Sequence, residues 1–232
     1  TTSRSISIAD NHACVNSSSA CDERLSRIWL RWQPNAPRRF AMSEWPRYRL
    51  IQRILHWVIA VLIIPTLLLG ATLGTLGFEG TARIFGSPTT NALYVIHKTI
   101  GVLLIGLVAA RIIARLAYGK PHYAIPLERR WQKITSETVQ ALLYVGLVTM
   151  PLLGWAATAA GGYPVNFFQW VLPPLIGEDD ALSTLLFQLH GLIGWAMIGL
   201  VSLHSAAGLY HWQIRRDGVM IRMSLLPRKQ AP

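Results

Sequence analysis

Four long apolar stretches separated by polar segments occupy the chain from about residue 50 onward. They run roughly over Leu50–Leu73, Leu93–Tyr118, Val139–Ala160 and Leu185–Trp212. Each stretch has enough residues to cross a hydrocarbon layer of about 30 Å, because a helix rises about 1.5 Å per residue. The pattern predicts an all-α fold, an integral membrane four-helix bundle occupying residues 42–232.

The first 41 residues differ from the rest of the chain. Residues 1–41 are polar and Ser-rich, and they lack the apolar stretch of a secretory signal. We interpret them as an N-terminal extension that is disordered, or partly amphipathic over Arg24–Trp32. Cys14 and Cys21 lie in this extension without a metal-binding or haem-attachment spacing, so no role is predicted for them.

Composition supports the membrane class. Apolar and aromatic residues make up 52% of the chain and charged residues 14%, whereas a soluble domain carries about 25% charged residues. The formal net charge of +11 is that of many nucleic-acid-binding proteins. The basic residues, however, lie in blocks between the apolar stretches, as in membrane-flanking loops, and no nucleic acid is expected as a partner.

The distribution of positive charge predicts the orientation. Of the 22 Lys and Arg residues, 20 lie in residues 1–53, in residues 111–133 or after Trp212, which are the segments at one end of the predicted bundle. The acidic run Glu178, Asp179 and Asp180 lies in the loop on the opposite side. By the positive-inside rule, both termini are predicted to be cytoplasmic.

Histidines are the candidate chemical residues. Ionisable side chains inside a bilayer are costly and rare, so each one indicates a function. For a single histidine, an interhelical hydrogen bond explains the position equally well. Five histidines in one small bundle favour a cofactor: His56, His97, His190, His204 and His211.

The depths of four histidines suggest two pairs. His190 and His204 are 14 residues apart on the fourth span, which places them about 21 Å apart along the axis and roughly 40° apart around it. His97 starts the second span at the outer level of His190. His56 starts the first span at the inner level of His204. Two imidazoles facing each other at each level suit a bis-histidine haem.

Small residues one turn after the histidines fit the same hypothesis. Gly101, Gly194 and Gly208 follow His97, His190 and His204 at i+4, a spacing that lies on one helix face. A porphyrin plane against a helix favours such a residue, although glycines also serve plain helix packing. A zinc site is the less favoured alternative, because zinc needs three or four converging ligands and the spans supply no Cys or central carboxylate.

From about Tyr48 to Arg228, the chain resembles the prokaryotic cytochrome b561 family, which includes bacterial superoxide oxidases. The matching features are an R-x₂-HW motif opening the first span (Arg53, His56, Trp57), His97 early in the second, an H-x₁₃-H-x₆-H pattern formed by His190, His204 and His211, and the basic segment Ile221–Lys229.

The resemblance implies two haems b as cofactors, with His56 and His204 as axial metal ligands of the inner haem and His97 and His190 of the outer haem. It implies a multi-pass protein of the bacterial inner membrane that carries electrons between its outer face and the quinone pool. In the superoxide oxidase branch, superoxide is oxidised to dioxygen and ubiquinone is reduced. His211 matches a position near the quinone in that branch, and an interfacial histidine without a ligand is the alternative.

Other functions stay open at this point. One is an electron-transfer subunit for a separate dehydrogenase, such as a hydrogenase, bound at the outer face. Another is a small transporter or assembly protein without a cofactor.

Basic side chains near the two histidine levels are further candidates. Lys98 adjoins His97, and we expect it to attract an anion such as superoxide or to pair with a haem propionate; snorkelling to the interface is the alternative. On the inner side, four arginines are candidates to bind haem propionates or lipid phosphates: Arg49, Arg53, Arg111 and Arg115.

Overall fold

Four long helices make up most of the structure, a computed structural model that describes residues 47–121 and 130–226. The helices are α1 (Leu50–Phe85), α2 (Ser87–Tyr118), α3 (Arg130–Ala160) and α4 (Asp180–Tyr210). All four are long and apolar enough to cross a membrane. The all-α membrane bundle is therefore confirmed. The side on which the termini lie stays a prediction.

Several predictions concern residues that the structure does not describe. The extension 1–41, with Cys14, Cys21 and the segment Arg24–Trp32, lies outside the described residues. The division of the chain at residue 42 stays a prediction.

The helices extend beyond the apolar stretches. Helix α1 continues from Leu73 to Phe85, and α2 begins at Ser87, six residues before Leu93. Backbone hydrogen bonds continue through polar residues until a local breaker intervenes, so hydropathy marks the apolar part of a helix and not its end. Here the break is Gly86, which has φ 80° and is followed by Pro88 at the start of α2.

Helix α1 also contains one break in its course. Gly77 has φ 65° and ψ −177°, values outside the helical region and accessible almost only to glycine. The residues that follow it form the outermost part of α1. The regular part of α1 therefore runs up to Gly77, four residues beyond the last predicted apolar residue, Leu73.

A short β-hairpin, absent from the predictions, occupies the connection between α3 and α4. Strand β1 (Val165–Phe167) pairs antiparallel with β2 (Trp170–Leu172). The hydroxyl of Thr99 on α2 donates to the Asn166 carbonyl (3.4 Å), and Trp155 on α3 donates to the Pro173 carbonyl (3.2 Å). These bonds hold the hairpin region against the outer ends of α2 and α3.

The start of α4 is bonded to the end of α3. The Asp179 side chain caps α4 by accepting a hydrogen bond from the Leu182 N–H (2.9 Å). The Asp179 N–H donates to the Ala160 carbonyl (2.8 Å), and the Ser183 hydroxyl donates to the Ala157 carbonyl (2.9 Å). These bonds fix the height of α4, and with it the histidines further along the helix.

An apolar layer fills the middle of the bundle. Its fully packed members come from three helices: Ile59, Ile63 and Leu67 on α1, Leu104 and Val108 on α2, and Met197 on α4. Met197, with 1% of its surface exposed, lies halfway between His190 and His204 in sequence. A Cβ atom at Gly146 on α3 would overlap the sulfur of Met197, so this glycine allows α3 and α4 to approach closely.

The inner end of the bundle is tied together by Gln52. Its side-chain oxygen accepts from the Arg49 N–H (3.1 Å) at the start of α1. Its amide nitrogen donates to the carbonyls of Ala114 (3.3 Å) and Gly119 (3.2 Å) at the end of α2. The buried amide is thus satisfied and connects the start of α1 to the end of α2.

The segment after α4 folds back beneath the bundle. A π-helical turn (His211–Arg215) and a 3₁₀ turn (Met220–Arg222) lead into it. Trp57 donates to the Met223 carbonyl (2.8 Å) and Arg53 to the Ser224 carbonyl (2.6 Å). The residues on both sides of His56 therefore contact this segment.

Candidate dihaem site

The outer pair of imidazoles joins α2 to α4. The rings of His97 and His190 have their centroids 6.1 Å apart and their planes at 81°. Both side chains are partly buried inside the bundle. The structure thus brings together the two histidines that the sequence placed at the outer level.

The inner pair joins α1 to α4 with nearly the same geometry. The rings of His56 and His204 have their centroids 6.2 Å apart and their planes at 76°. The apolar layer, which includes Leu67, Val108 and Met197, lies between this pair and the outer pair. The bundle therefore contains two histidine pairs separated by an apolar core.

The ring separations match those of two axial ligands on one metal. Two imidazole nitrogens, each about 2.0 Å from the same ion, place their ring centroids about 6 Å apart. Both observed separations, 6.1 and 6.2 Å, agree with this value. The steep angles between the ring planes, 81° and 76°, are also compatible with two ligands on one metal. Each ring plane need only contain the line that joins the two ligand nitrogens through the metal. The donor set therefore fits a bis-histidine haem at each level.

A site built from three or more ligands has no support in the described part of the chain. Within residues 47–121 and 130–226, no group of three or more His, Cys, Asp or Glu side chains is placed to hold a metal ion. A tetrahedral zinc site needs three or four such ligands. Two imidazoles per level suit the two open axial positions of a haem iron better.

A hydrogen bond fixes the tautomer of His190. Its Nδ1 lies 2.9 Å from the backbone carbonyl of Met150 on α3. Because a carbonyl only accepts hydrogen bonds, Nδ1 carries the proton and Nε2 keeps its lone pair. This second contact is the one that metal-ligating histidines usually make, since it orients the ring and makes its other nitrogen more basic.

The other outer ring is buried without an equivalent hydrogen bond. Nδ1 of His97 is inaccessible and has no hydrogen-bond partner of ordinary geometry. The backbone of Thr66 on α1 interacts with the ring electrostatically, although it makes no ordinary hydrogen bond with Nδ1. An orphaned buried imidazole nitrogen is costly in a protein that does not use it.

Arg111 lies directly beside the inner pair. Its guanidinium nitrogens lie 3.2 Å from Nδ1 of His56 and 2.8 Å from the carbonyl of Gln52. The same guanidinium lies 6.0 Å from the ring centre of Tyr144 on α3. Of the four arginines singled out in the sequence, Arg111 is the one that contacts a histidine of the pair.

The other three arginines lie nearer the inner surface. Arg53 has a buried Nε without a hydrogen-bond acceptor, a donor that a haem carboxylate would satisfy. Arg49 stacks over the ring of Tyr118 (5.6 Å), and Arg115 over the ring of Tyr48 (5.7 Å). Arg53 is thus a second candidate for binding a propionate, while Arg49 and Arg115 contact aromatic rings.

Lys98 lies next to His97 and contacts the outer connection. Its ammonium donates to the carbonyl of Pro164 (2.8 Å), just before β1. None of the ion pairs found among the described residues includes Lys98. Arg83, the other outer basic residue, pairs with Glu79 (3.7 Å). Lys98 is therefore a cation at the outer level whose charge no neighbouring carboxylate neutralises in the described residues.

His211 lies apart from both pairs, in the π-helical turn after α4. Its Nδ1 is 2.5 Å from a carboxylate oxygen of Asp217, and Arg215 lies 3.8 Å from the same oxygen. Both the imidazole and the carboxylate are partly buried. Asp217 was not among the predicted residues, because a contact six residues away across an irregular turn has no periodic signal in the sequence.

The three predicted glycines have different surroundings. A Cβ atom at Gly101 would meet nothing within 4 Å, so this position leaves open space beside His97. At Gly194, a Cβ would lie 3.2 Å from the terminal methyl of Met150, and at Gly208 it would lie 3.7 Å from the sulfur of Met220. The contacts at these two positions are methionine side chains, which adapt easily. The role of all three glycines stays a prediction.

Comparison with known proteins agrees with this geometry. The model of a family described as prokaryotic cytochrome b561 matches residues 47–224. Cytochrome b561 homolog 1 of Escherichia coli strain K12 is 27% identical over 186 residues, which cover 79% of this chain and 99% of that protein. Cytochrome b562 of Cereibacter sphaeroides is 25% identical over 182 residues (78% and 98%). A probable superoxide oxidase of Yersinia pestis is 22% identical over 184 residues (79% and 98%).

Proposed function

This chain belongs to the prokaryotic cytochrome b561 family, and on that premise we propose that it oxidises superoxide at its outer face and reduces ubiquinone through two haems b. The family membership makes it a multi-pass membrane cytochrome b that transfers electrons. The identity of the electron donor, superoxide, and of the acceptor, ubiquinone, is the part of the proposal that goes beyond family membership. The relative from Yersinia pestis, named a probable superoxide oxidase, supports the choice of substrate.

One observation carries the proposal: two histidine pairs lie at two levels with almost equal ring separations, 6.1 and 6.2 Å. His97 and His190 would hold the outer haem, and His56 and His204 the inner haem. A single haem would require only one such pair. An apolar layer that includes Met197 lies between the two levels.

When bound, the haems supply reversible one-electron chemistry. Each haem would be held by two imidazoles of the chain, which would leave no position for a ligand from solution. Superoxide is therefore expected to react by outer-sphere electron transfer, without binding to iron. Because the imidazoles come from different helices, the packing of the bundle sets their orientation.

At the outer level, Lys98 is the residue we propose to attract superoxide. A single positive charge near a site raises the local concentration of an anionic substrate. The bond from Lys98 to the Pro164 carbonyl holds the ammonium at the level of the outer pair. This residue is thus expected to affect the encounter with superoxide more than the binding of haem.

At the inner end, His211 is proposed to contact ubiquinone. Asp217 accepts the Nδ1 proton of His211 and so orients the ring. Nε2 of the neutral ring would accept a hydrogen bond from a quinol hydroxyl, and Nε2–H of the protonated ring would donate one to a quinone carbonyl. Reduction of one ubiquinone consumes two electrons and two protons, and two superoxide anions supply one electron each as they become dioxygen. The reaction balances, and the protons come from the inner side of the membrane.

A redox titration of the purified chain tests the proposal. We expect a pyridine haemochrome assay to give two haems b per chain, and His56→Ala and His97→Ala to lose one haem each. Superoxide should reduce the haems, and added ubiquinone should reoxidise them. Carbon monoxide should not shift the spectrum of the reduced protein, because both axial positions are occupied.

Other results would contradict the proposal. A colourless protein would favour a function without a cofactor. A dihaem protein that is inert toward superoxide and co-purifies with a dehydrogenase would favour an electron-transfer subunit. A large spectral shift with carbon monoxide would show an open axial position.

A further inference from the structure

The two outer histidines each pack against a glycine on the neighbouring helix. A Cβ atom at Gly70 on α1 would lie 2.8 Å from Cε1 of His97. A Cβ atom at Gly154 on α3 would lie 2.9 Å from Cε1 and 3.1 Å from Nδ1 of His190. Carbon atoms do not approach this closely in packed proteins, so any side chain at either position would displace the ring.

We infer that Gly70 and Gly154 are positioning residues for the outer haem ligands, because each lets an imidazole lie directly on a helix backbone. This inference rests on the proposed function, in which His97 and His190 bind the outer iron. The two glycines do not touch the cofactor in this scheme. They act through the rings, whose orientation they set.

The backbone one turn before each glycine lies beside the imidazole that the glycine contacts. Gly154 follows Met150 by four residues, and the Met150 carbonyl accepts the Nδ1 proton of His190 (2.9 Å). Gly70 follows Thr66 by the same four residues, and the Thr66 backbone interacts with the ring of His97. Gly154 thus gives the imidazole of His190 access to a carbonyl that holds Nδ1 protonated and leaves Nε2 to bind metal, and Gly70 lets the ring of His97 lie against the backbone of α1 in the same way.

The arrangement is specific to the outer level. Among the glycines of α1–α4, only Gly70 and Gly154 would bring a Cβ atom within 4 Å of an imidazole. At the inner level, His56 instead contacts the guanidinium of Arg111. A change at either glycine is therefore expected to affect one haem and not the other.

Alanine substitutions in the full-length, haem-loaded protein test the inference. The variants are Gly70→Ala and Gly154→Ala, with Gly74→Ala on α1 and Gly199→Ala on α4 as controls, because a Cβ at either control position meets nothing within 4 Å. Alanine is a better helix former than glycine, so the controls should fold at least as well as wild type. The readouts are haem content, the two midpoint potentials, and the EPR signals of the two ferric haems, which report ligand-plane orientation.

The outer signal is first identified as the one that His97→Ala removes. We expect Gly70→Ala and Gly154→Ala each to shift or abolish that signal and its midpoint potential, while the inner signal and both controls stay as in wild type. Wild-type signals and potentials in both variants would overturn the inference, and so would equal changes in both signals. If one variant does not accumulate, the other decides by the same criterion, since the two glycines contact different rings from different helices.

Failure of the proposed function is seen separately. If wild type binds fewer than two haems, or if His97→Ala keeps both, then the ligand assignment is wrong before any glycine variant is measured. If the assignment of the haem ligands holds and both glycine variants show wild-type EPR signals and midpoint potentials, then only the positioning role of Gly70 and Gly154 is wrong.

Discussion

A guanidinium nitrogen of Arg111 lies 3.2 Å from Nδ1 of His56. An arginine only donates hydrogen bonds, so Nδ1 accepts in this contact and the proton of a neutral ring lies on Nε2. Binding of a metal by Nε2 of His56 would require the proton on Nδ1. We therefore expect Arg111 to exchange this bond for another acceptor, such as a haem carboxylate, when His56 acts as a ligand.

The charge of Arg111 should tune the inner haem. Arg111→Gln removes a positive charge that favours the reduced iron, so the inner midpoint potential should fall. The expected size is about 1–2 kcal/mol, or roughly 40–90 mV for one electron, with an effective dielectric constant near 20. A potentiometric titration of the two haems measures this fall in the inner midpoint potential. Arg111→Lys, which keeps the charge, should recover much of the shift, and unchanged potentials in Arg111→Gln would contradict the prediction.

Charge reversal at Lys98 should slow superoxide oxidation. In Lys98→Glu, we expect the bimolecular rate constant to fall by about tenfold at low ionic strength, because the variant repels an anion that wild type attracts. The difference should shrink as salt is added, since salt screens exposed charges. Stopped-flow measurement of haem reduction by superoxide tests this.

The matched control for Lys98 is Arg83→Gln, because Arg83 is already paired with Glu79. We expect it to change the rate little. An unchanged rate in Lys98→Glu at low salt would rule out steering by this residue.

The carboxylate of Asp217 should matter for quinone reduction but not for haem binding. Asp217→Asn removes the charge-assisted hydrogen bond to His211, a bond of about 1.5–3 kcal/mol. We expect ubiquinone reduction to slow about tenfold or more, as in His211→Ala, with both haems retained. Gln213→Ala, in the same turn, is the control. Loss of a haem in Asp217→Asn or in His211→Ala would instead indicate that His211 is a haem ligand, and it would contradict the pairing of His56 with His204.

The core between the two levels should contribute to stability. Met197→Ala would leave a cavity beside Gly146, and large-to-small changes in cores cost about 2–5 kcal/mol. We expect the lower end of that range, measured as a lower thermal unfolding temperature in detergent. Leu192→Ala on the same helix is the control, because Leu192 is exposed to the surroundings of the bundle. If both substitutions lowered the unfolding temperature equally, the buried contacts of Met197 would contribute no more to stability than those of an exposed leucine.

A spacing of 14 residues links the two levels on three helices. It separates His56 from Gly70 on α1, His97 from Arg111 on α2, and His190 from His204 on α4. Only the last of these was recognised in the sequence. The other two spacings join residues of different types, so the sequence shows no repeated histidine at that interval. The role of Gly70 and of Arg111 depends on which side chain of a neighbouring helix each one contacts.

The sequence by itself determined the number of spans and the depth of each histidine, because a helix is set by local backbone hydrogen bonds and rises a fixed distance per residue. Hydropathy was enough to find the spans, but not their ends at Phe85 and Ser87. The tertiary structure alone decided that Gly70 and Gly154 meet the outer rings, that Arg111 contacts His56, and that Asp217 contacts His211. These contacts depend on how the helices rotate and pack and on how the chain turns after α4, which the packing of the whole bundle sets and no local pattern encodes.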